Sequence, residues 1–206
     1  GGRRESEYPW RGRVDIPGLS EIQKEIERHR VAISKINKEI EKDQKRCFNK
    51  DSYRNLFSPD DQLQVKTVRR MLSDIGIHSD LTKPGFVVDL LGREAAVEVT
   101  SDTGKITTKS DSLNQVSRFI QEERERKKVM LVANTHKRLP LEERVGKENF
   151  TPQAKSFLKR LEVCCLSARC LYLLWKKVLE KSVSAEKAKA LIFNTIGELT
   201  ENEALS

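Results

Sequence analysis

The sequence predicts an α/β fold, a sheet flanked by helices, preceded by a long coiled-coil helix. Three observations predict it: a strict three-four alternation of apolar positions from Leu19 onward, short β-branched apolar runs around Val87, Val97 and Val129, and an amphipathic helical stretch between the last two of these. Strand, helix and strand at that spacing imply a crossover unit. The 206 residues leave room for one sizeable domain and an appendage.

Residues 1–18 carry Pro9, Gly12, Pro17 and Gly18 among charges, with Tyr8 and Trp10 as large anchors, and read as a flexible arm. Leu19, Ile22, Ile26, His29, Ile33, Ile36, Ile40, Asp43 and Cys47 then form a heptad seam, with Ser20 as its expected N-cap, so residues 19–50 read as a coiled-coil helix. An exposed isoleucine stripe needs covering. Either residues 19–47 pair a homodimer, with His29 and Asp43 weakening it while fixing its register, or the helix packs on its own domain.

Ser58-Pro59-Asp60 marks a new helix start, whose inward residues Val65, Val68, Leu72 and Ile75 run to a stop at Gly76. Phe86–Leu91 and Ala95–Val99 read as hairpin strands joined by a tight Gly92-Arg93 turn. A Ser/Thr/Asp/Gly loop follows, then a helix with Leu113, Val116, Phe119 and Ile120 on one face and a strand at Val129–Ala133. A helix at Gln153–Leu161, a strand at Val163–Leu166 and two further helices complete the sandwich, with Tyr172 and Trp175 read as core. The main domain is expected over residues 51–181 and a helical extension over 182–206.

The chain carries 39 Lys and Arg against 31 Asp and Glu, a net charge of +8. That surplus suits an anionic partner, although lysines scattered over solvated helices give the same total. Arg118, Arg124, Arg126, Lys127 and Lys128 cluster on and after one helix and Lys66, Arg69 and Arg70 on another. Arg118 is the better phosphate candidate, and the run mixed with Glu122, Glu123 and Glu125 reads as a solvated face. No apolar run approaches the roughly 20 residues of a membrane helix, so a cytoplasmic protein without membrane contact is expected. The four cysteines show no metal-ligand spacing and read as reduced thiols.

Asp89 and Glu98 stand out because each lies within an otherwise apolar strand, where a carboxylate needs a cation or a donor. One reading brings both to a divalent ion, and hard oxygen ligands select Mg²⁺ or Mn²⁺. The other has Asp89 ending a strand and Glu98 paired with a Lys or Arg.

The stretch Phe86-Val-Val-Asp89-Leu-Leu-Gly-Arg-Glu-Ala-Ala-Val-Glu98-Val-Thr100, preceded by a helix and followed by Leu113-Asn-Gln115-Val-Ser-Arg-Phe119, resembles the restriction-endonuclease-like superfamily, often written PD-(D/E)xK. The family pattern is a strand Asp, Glu-x-Lys on the next strand, and a helix with Gln-x-x-x-Tyr. More closely, the chain resembles uncharacterised prokaryotic proteins that join a coiled coil to such a domain, through Tyr8-Pro9-Trp10, Ile16-Pro17-Gly18, Tyr53–Phe57, Val132-Ala133-Asn134, Leu139–Arg144 and Phe150-Thr151-Pro152.

The resemblance implies a restriction-endonuclease-like mixed sheet with Asp89, Glu98 and the Val99 carbonyl as metal ligands, and Gln115 near water or phosphate. It implies a nucleic-acid partner, DNA ahead of RNA. Thr100 stands where the family carries Lys, Phe119 where it carries Tyr, and Gln62, Gln64 and Val65 where relatives often carry a helix Glu. Losing an active-site cation costs on the order of a hundred-fold in rate. The expectation is therefore a catalytically impaired, nucleic-acid-associated dimer that binds DNA or RNA or acts as a scaffold. The alternatives are an active Mg²⁺-dependent endonuclease with a relocated Lys105 or Lys109, which would also contact nucleic acid, and a protein adaptor that binds its partner through the coil and C-terminal helices without nucleic acid.

Overall fold

Residues 16–79, 86–122 and 128–205 are described by a computed structural model of the chain. The anchors Tyr8 and Trp10 and the charged run 123–127 lie outside them. The chain divides after Asp51 into two compact units.

In the first unit, helix α1 (Leu19–Asp51) runs without a break and buries none of its residues. It begins one residue before the expected cap. Gly18, at φ 83°, precedes the first turn, and its carbonyl accepts from the Ile22 N–H at 3.2 Å, which places Ser20 inside the helix. Helix formers dominate, and exposed pairs of Glu27 with Arg30 and Asp43 with Arg46 lie one turn apart.

The second unit opens with a 3-10 turn at Ser52–Phe57, which buries Leu56, and continues into α2 (Asp61–Asp74). Asp60, the last residue of the expected Ser58-Pro59-Asp60 helix start, caps α2, accepting from the N–H groups of Gln62 and Leu63. Gly76 ends it at φ 84°, a left-handed conformation that lets the Ile77 N–H return to the Leu72 carbonyl at 2.8 Å.

A five-stranded sheet follows in the order β1-β2-β3-β4-β5. β1 (Val87–Leu90) and β2 (Arg93–Ser101) are the antiparallel hairpin, and β3 (Lys128–Asn134), β4 (Cys164–Ser167) and β5 (Gly197–Leu199) continue parallel to β2. The turn differs from expectation. Leu90 pairs with Arg93, so Leu91 and Gly92 form the loop, at φ 56° and 75°. Positive φ at both positions belongs to the hairpin turn that matches strand twist.

Residues 182–206 also differ from the expected helical extension. They supply α6 (Ala185–Asn194), β5 and α7 (Glu201–Leu205), and β5 completes the sheet beside β4. Gly197 and Leu199 alternate with Glu198 in too short a run to show a strand period.

Alternation along the strands divides the core in two. Val129, Leu131 and Ala133 of β3 pack with Leu113 and Val116 of α3 (Asp111–Glu122) and Ala154 and Leu158 of α4 (Pro152–Arg160). Met130 and Val132 pack on the opposite face with α2 and α5 (Ala168–Leu179). Cys164, Cys165 and Cys170 are buried, and burial pushes the Cys164 and Cys170 thiols up to about 12, so they behave as inert core groups. Trp175 is core, while Tyr172 lies at its rim. Among the described residues no helix is long and apolar enough to cross a membrane.

Candidate functional site

Ala96, Glu98 and Thr100 alternate onto the face of β2 that packs against α3. Glu98 sits in register beside the fully buried Leu131, and Thr100 beside Ala133. The crossover from β2 through α3 to β3 then brings Gln115 onto Glu98. With its nitrogen turned to the carboxylate, the Gln115 amide donates to Oε1 at 2.5 Å and Oε2 at 3.2 Å.

Burial pushes the Glu98 carboxyl up from 4.5 to about 7, with no cation among the described residues acting on it. A donating amide favours the charged carboxylate and so opposes burial. Once Glu98 is protonated, the same amide turns its oxygen inward and accepts. Gln115 can thus satisfy either state of Glu98. One turn earlier on α3, Ser112 Oγ is buried without a hydrogen-bond partner among the described residues.

Asp89 does not join them. It pairs in register with Glu94, four residues before Glu98, which is about 13 Å along a strand rising ~3.3 Å per residue. Its side chain is exposed and accepts from the Gly92 N–H at 2.7 Å, closing the hairpin turn. Val99 directs its side chain into the α2–α5 core and pairs in register with Val132. Among the described residues no three His, Cys, Asp or Glu side chains are grouped to hold a metal. Asp89 and Glu98 thus do not converge on one ion as the two-carboxylate reading expects.

The two candidate lysines lie on the loop between β2 and α3. Ile106 bridges to Phe150, tying the loop after β2 to residues 149–151, and Lys105 donates from Nζ to Glu148 Oε2 at 2.6 Å. That pair holds the Glu148 carboxyl below its ordinary range. Lys109 is exposed, and its backbone N–H donates to Thr107 Oγ1. Arg118 is exposed on α3, three residues beyond Gln115.

Several other basic residues have structural roles. Arg69 stacks on Phe86 and Arg70 on Tyr53, and Lys128 donates to the Thr195 carbonyl at 2.8 Å. Gln64 of α2 is buried and donates to the Leu56 carbonyl.

Sequence reading missed a second polar group at the carboxyl end of β2. Ser101 Oγ donates to Asp61 Oδ1 at 2.6 Å and accepts from Lys137 Nζ at 3.2 Å. Asp61 opens α2 and Lys137 follows β3, so contacts distant in sequence assemble the group. Its one local signal is a lysine just beyond a central parallel strand, where ligand crevices of open α/β sheets lie. The chain matches no family model, no curated protein and no solved structure.

Proposed function

We propose that residues 52–206 are a nuclease-like, nucleic-acid-associated domain with an eroded, catalytically impaired site around Glu98, Thr100 and Gln115, and that α1 makes the protein a homodimer. The observation that carries this reading is the Gln115 amide lying within hydrogen-bond distance of the Glu98 carboxyl. The resemblance implies that both residues belong to one site, Glu98 as a metal ligand and Gln115 near water or phosphate. A half-buried carboxyl that burial alone moves to about 7 adds support, because such groups concentrate at functional sites.

Three features support impairment over activity. Thr100 brings no charge to the face it shares with Glu98, Asp89 closes a turn at the other end of β2, and Lys105 is paired with Glu148. What remains suits recognition. Glu98 and Gln115 offer an acceptor and a reversible amide side by side, matching the donor and acceptor edge of a base. Arg118 lies farther along α3, and the net charge of +8 favours a polyanion.

Titration of the full chain with single- and double-stranded DNA and RNA at increasing salt tests the reading. Binding that weakens steeply with salt is expected, with no cleavage in Mg²⁺ or Mn²⁺. Absence of binding at low salt overturns it and leaves the protein adaptor. Cleavage by the native chain that is lost in Glu98→Ala establishes instead an active endonuclease. Thr100→Lys restores the missing cation, and metal-dependent cleavage gained by that variant marks the site as a decayed nuclease centre.

A further inference from the structure

We propose that α1 associates with α1 of a second copy in parallel and in register. The inference rests on the homodimer reading above and adds the geometry of the pairing. Leu19, Ile26, Ile33, Ile40 and Cys47 occupy heptad a positions, and Ile22, His29, Ile36 and Asp43 occupy d positions, all of them exposed. Within its own unit, α1 leaves this stripe uncovered along its whole length. Isoleucine repeated over four heptads is a costly surface to leave in water.

Charge complementarity selects the occupant and its direction. In a parallel, in-register pair each g position faces the e position of the next heptad on the other helix. That sets Glu25 against Arg30 of the second copy and Arg46 against Asp51 of the second copy, opposite charges in both cases. The intervening g and e residues, Ala32 with Asn37 and Glu39 with Gln44, bring no like charges together. The antiparallel alignment that stacks the whole seam centres on Val31, and it faces Glu25 with Glu39 and Arg30 with Arg30. Sliding that alignment by one heptad relieves the repulsion. It then sets Leu19 opposite Lys50 and buries Asp43 against Ile26.

The polar seam residues point the same way. In register, His29 meets His29 and Asp43 meets Asp43, so each polar layer forms on its own level and leaves the isoleucine layers intact. Any slip sets a polar group against isoleucine, which is how a polar seam residue specifies register. Asp43 is accompanied by Arg46 on its own helix at 3.1 Å, which tempers the like-charge layer. Isoleucine at both a and d also accommodates a third strand in the same parallel register.

Cys47 makes the arrangement measurable. It is an exposed a-position thiol, whereas Cys164, Cys165 and Cys170 are buried. Parallel in-register helices bring Cys47 opposite its counterpart, and antiparallel ones set it opposite another part of the helix. The full chain is sized by light scattering and then treated with diamide, which takes two electrons and two protons from two thiols to give a disulfide and the reduced hydrazine. The expected result is an associated mass of two chains, with a covalent dimer on a non-reducing gel that disappears in Cys47→Ser while the native mass persists; a mass of three chains overturns the homodimer reading.

Arg30→Glu sharpens the test, because it weakens a parallel pair by opposing Glu25 and strengthens the seam-centred antiparallel pair by removing the Arg30–Arg30 clash. An associated chain whose Cys47 reacts with maleimide yet forms no disulfide overturns the parallel register. So does an Arg30→Glu variant that associates more tightly. A monomeric mass at all concentrations overturns the homodimer reading itself.

Discussion

Asp89 and Glu98 look alike in the sequence, each a single carboxylate inside an apolar strand, and the structure gives them opposite surroundings. Asp89 stands in water at the hairpin turn, its charge engaged by the Gly92 N–H. Glu98 stands over Leu131 near the other end of β2, half-buried, with an amide as partner and its carboxyl raised to about 7. The chemistry is the same in both; register separates them. In an antiparallel pair, residues equidistant from the turn meet, so Asp89 next to the turn meets Glu94. Convergence on Glu98 would need a partner farther back along the preceding strand.

The strongest way to break this contrast is to open the floor beneath Glu98. Leu131→Ala leaves a cavity in the α3 face and costs about 2–5 kcal/mol, and water entering it lowers the Glu98 carboxyl toward 4.5. Denaturant unfolding reads the first effect, and carbon NMR titration of the labelled glutamate reads the second.

Glu98→Gln sharpens it from the other side. The folded protein holds the Glu98 proton more tightly than the unfolded chain, so this group's contribution is fully present below 4.5 and is lost as pH rises through about 7. Removing the charge then stabilises the fold at pH 8 by about 1–2 kcal/mol, a full shift discounted for a site still partly open to solvent. It also flattens the stability profile between 4.5 and 7. Unfolding midpoints measured across that range check both effects; a variant less stable than the parent at pH 8 contradicts the buried-charge account.

Asp89→Ala deletes one turn hydrogen bond and costs about 1 kcal/mol, read by the same unfolding experiment. Nucleic-acid affinity stays as in the parent, because Asp89 lies away from the candidate site. Lys105→Ala removes a surface ion pair with Glu148 and leaves the unfolding midpoint close to that of the parent. It also leaves the salt dependence of nucleic-acid binding unchanged, which separates it from Arg118→Ala.

What could be read in the sequence follows the range of the forces involved. The long helix, the Asp60 cap, the Gly76 stop and the alternating strands depend on neighbours within a few residues, and they are where the sequence places them. The hairpin was legible too, but its turn moved by one residue because Leu91 adopts a left-handed conformation that leucine rarely takes. β5 escaped because three residues carry no period, and it is recognised only through its pairing with β4.

Within the candidate site, Glu98 was legible as a lone carboxylate inside an apolar strand, and the crossover from β2 to α3 brings Gln115 to it. The fate of Lys105 was not legible, since it depends on the Ile106–Phe150 bridge that carries its loop to Glu148. The Asp61–Ser101–Lys137 group was missed for the same reason, its members meeting from a helix start, a strand end and a later loop.

The position of β5 bears on how the protein is made. Until residues 197–199 have left the ribosome, β4 presents an unpaired edge, and the exposed backbone of such an edge is a template for other chains. The sheet is therefore closed only by residues synthesised late, whereas α1 has emerged long before with its seam already displayed. A chain cut at residue 181 therefore keeps β4 as an open, adhesive edge and does not form a smaller stable domain.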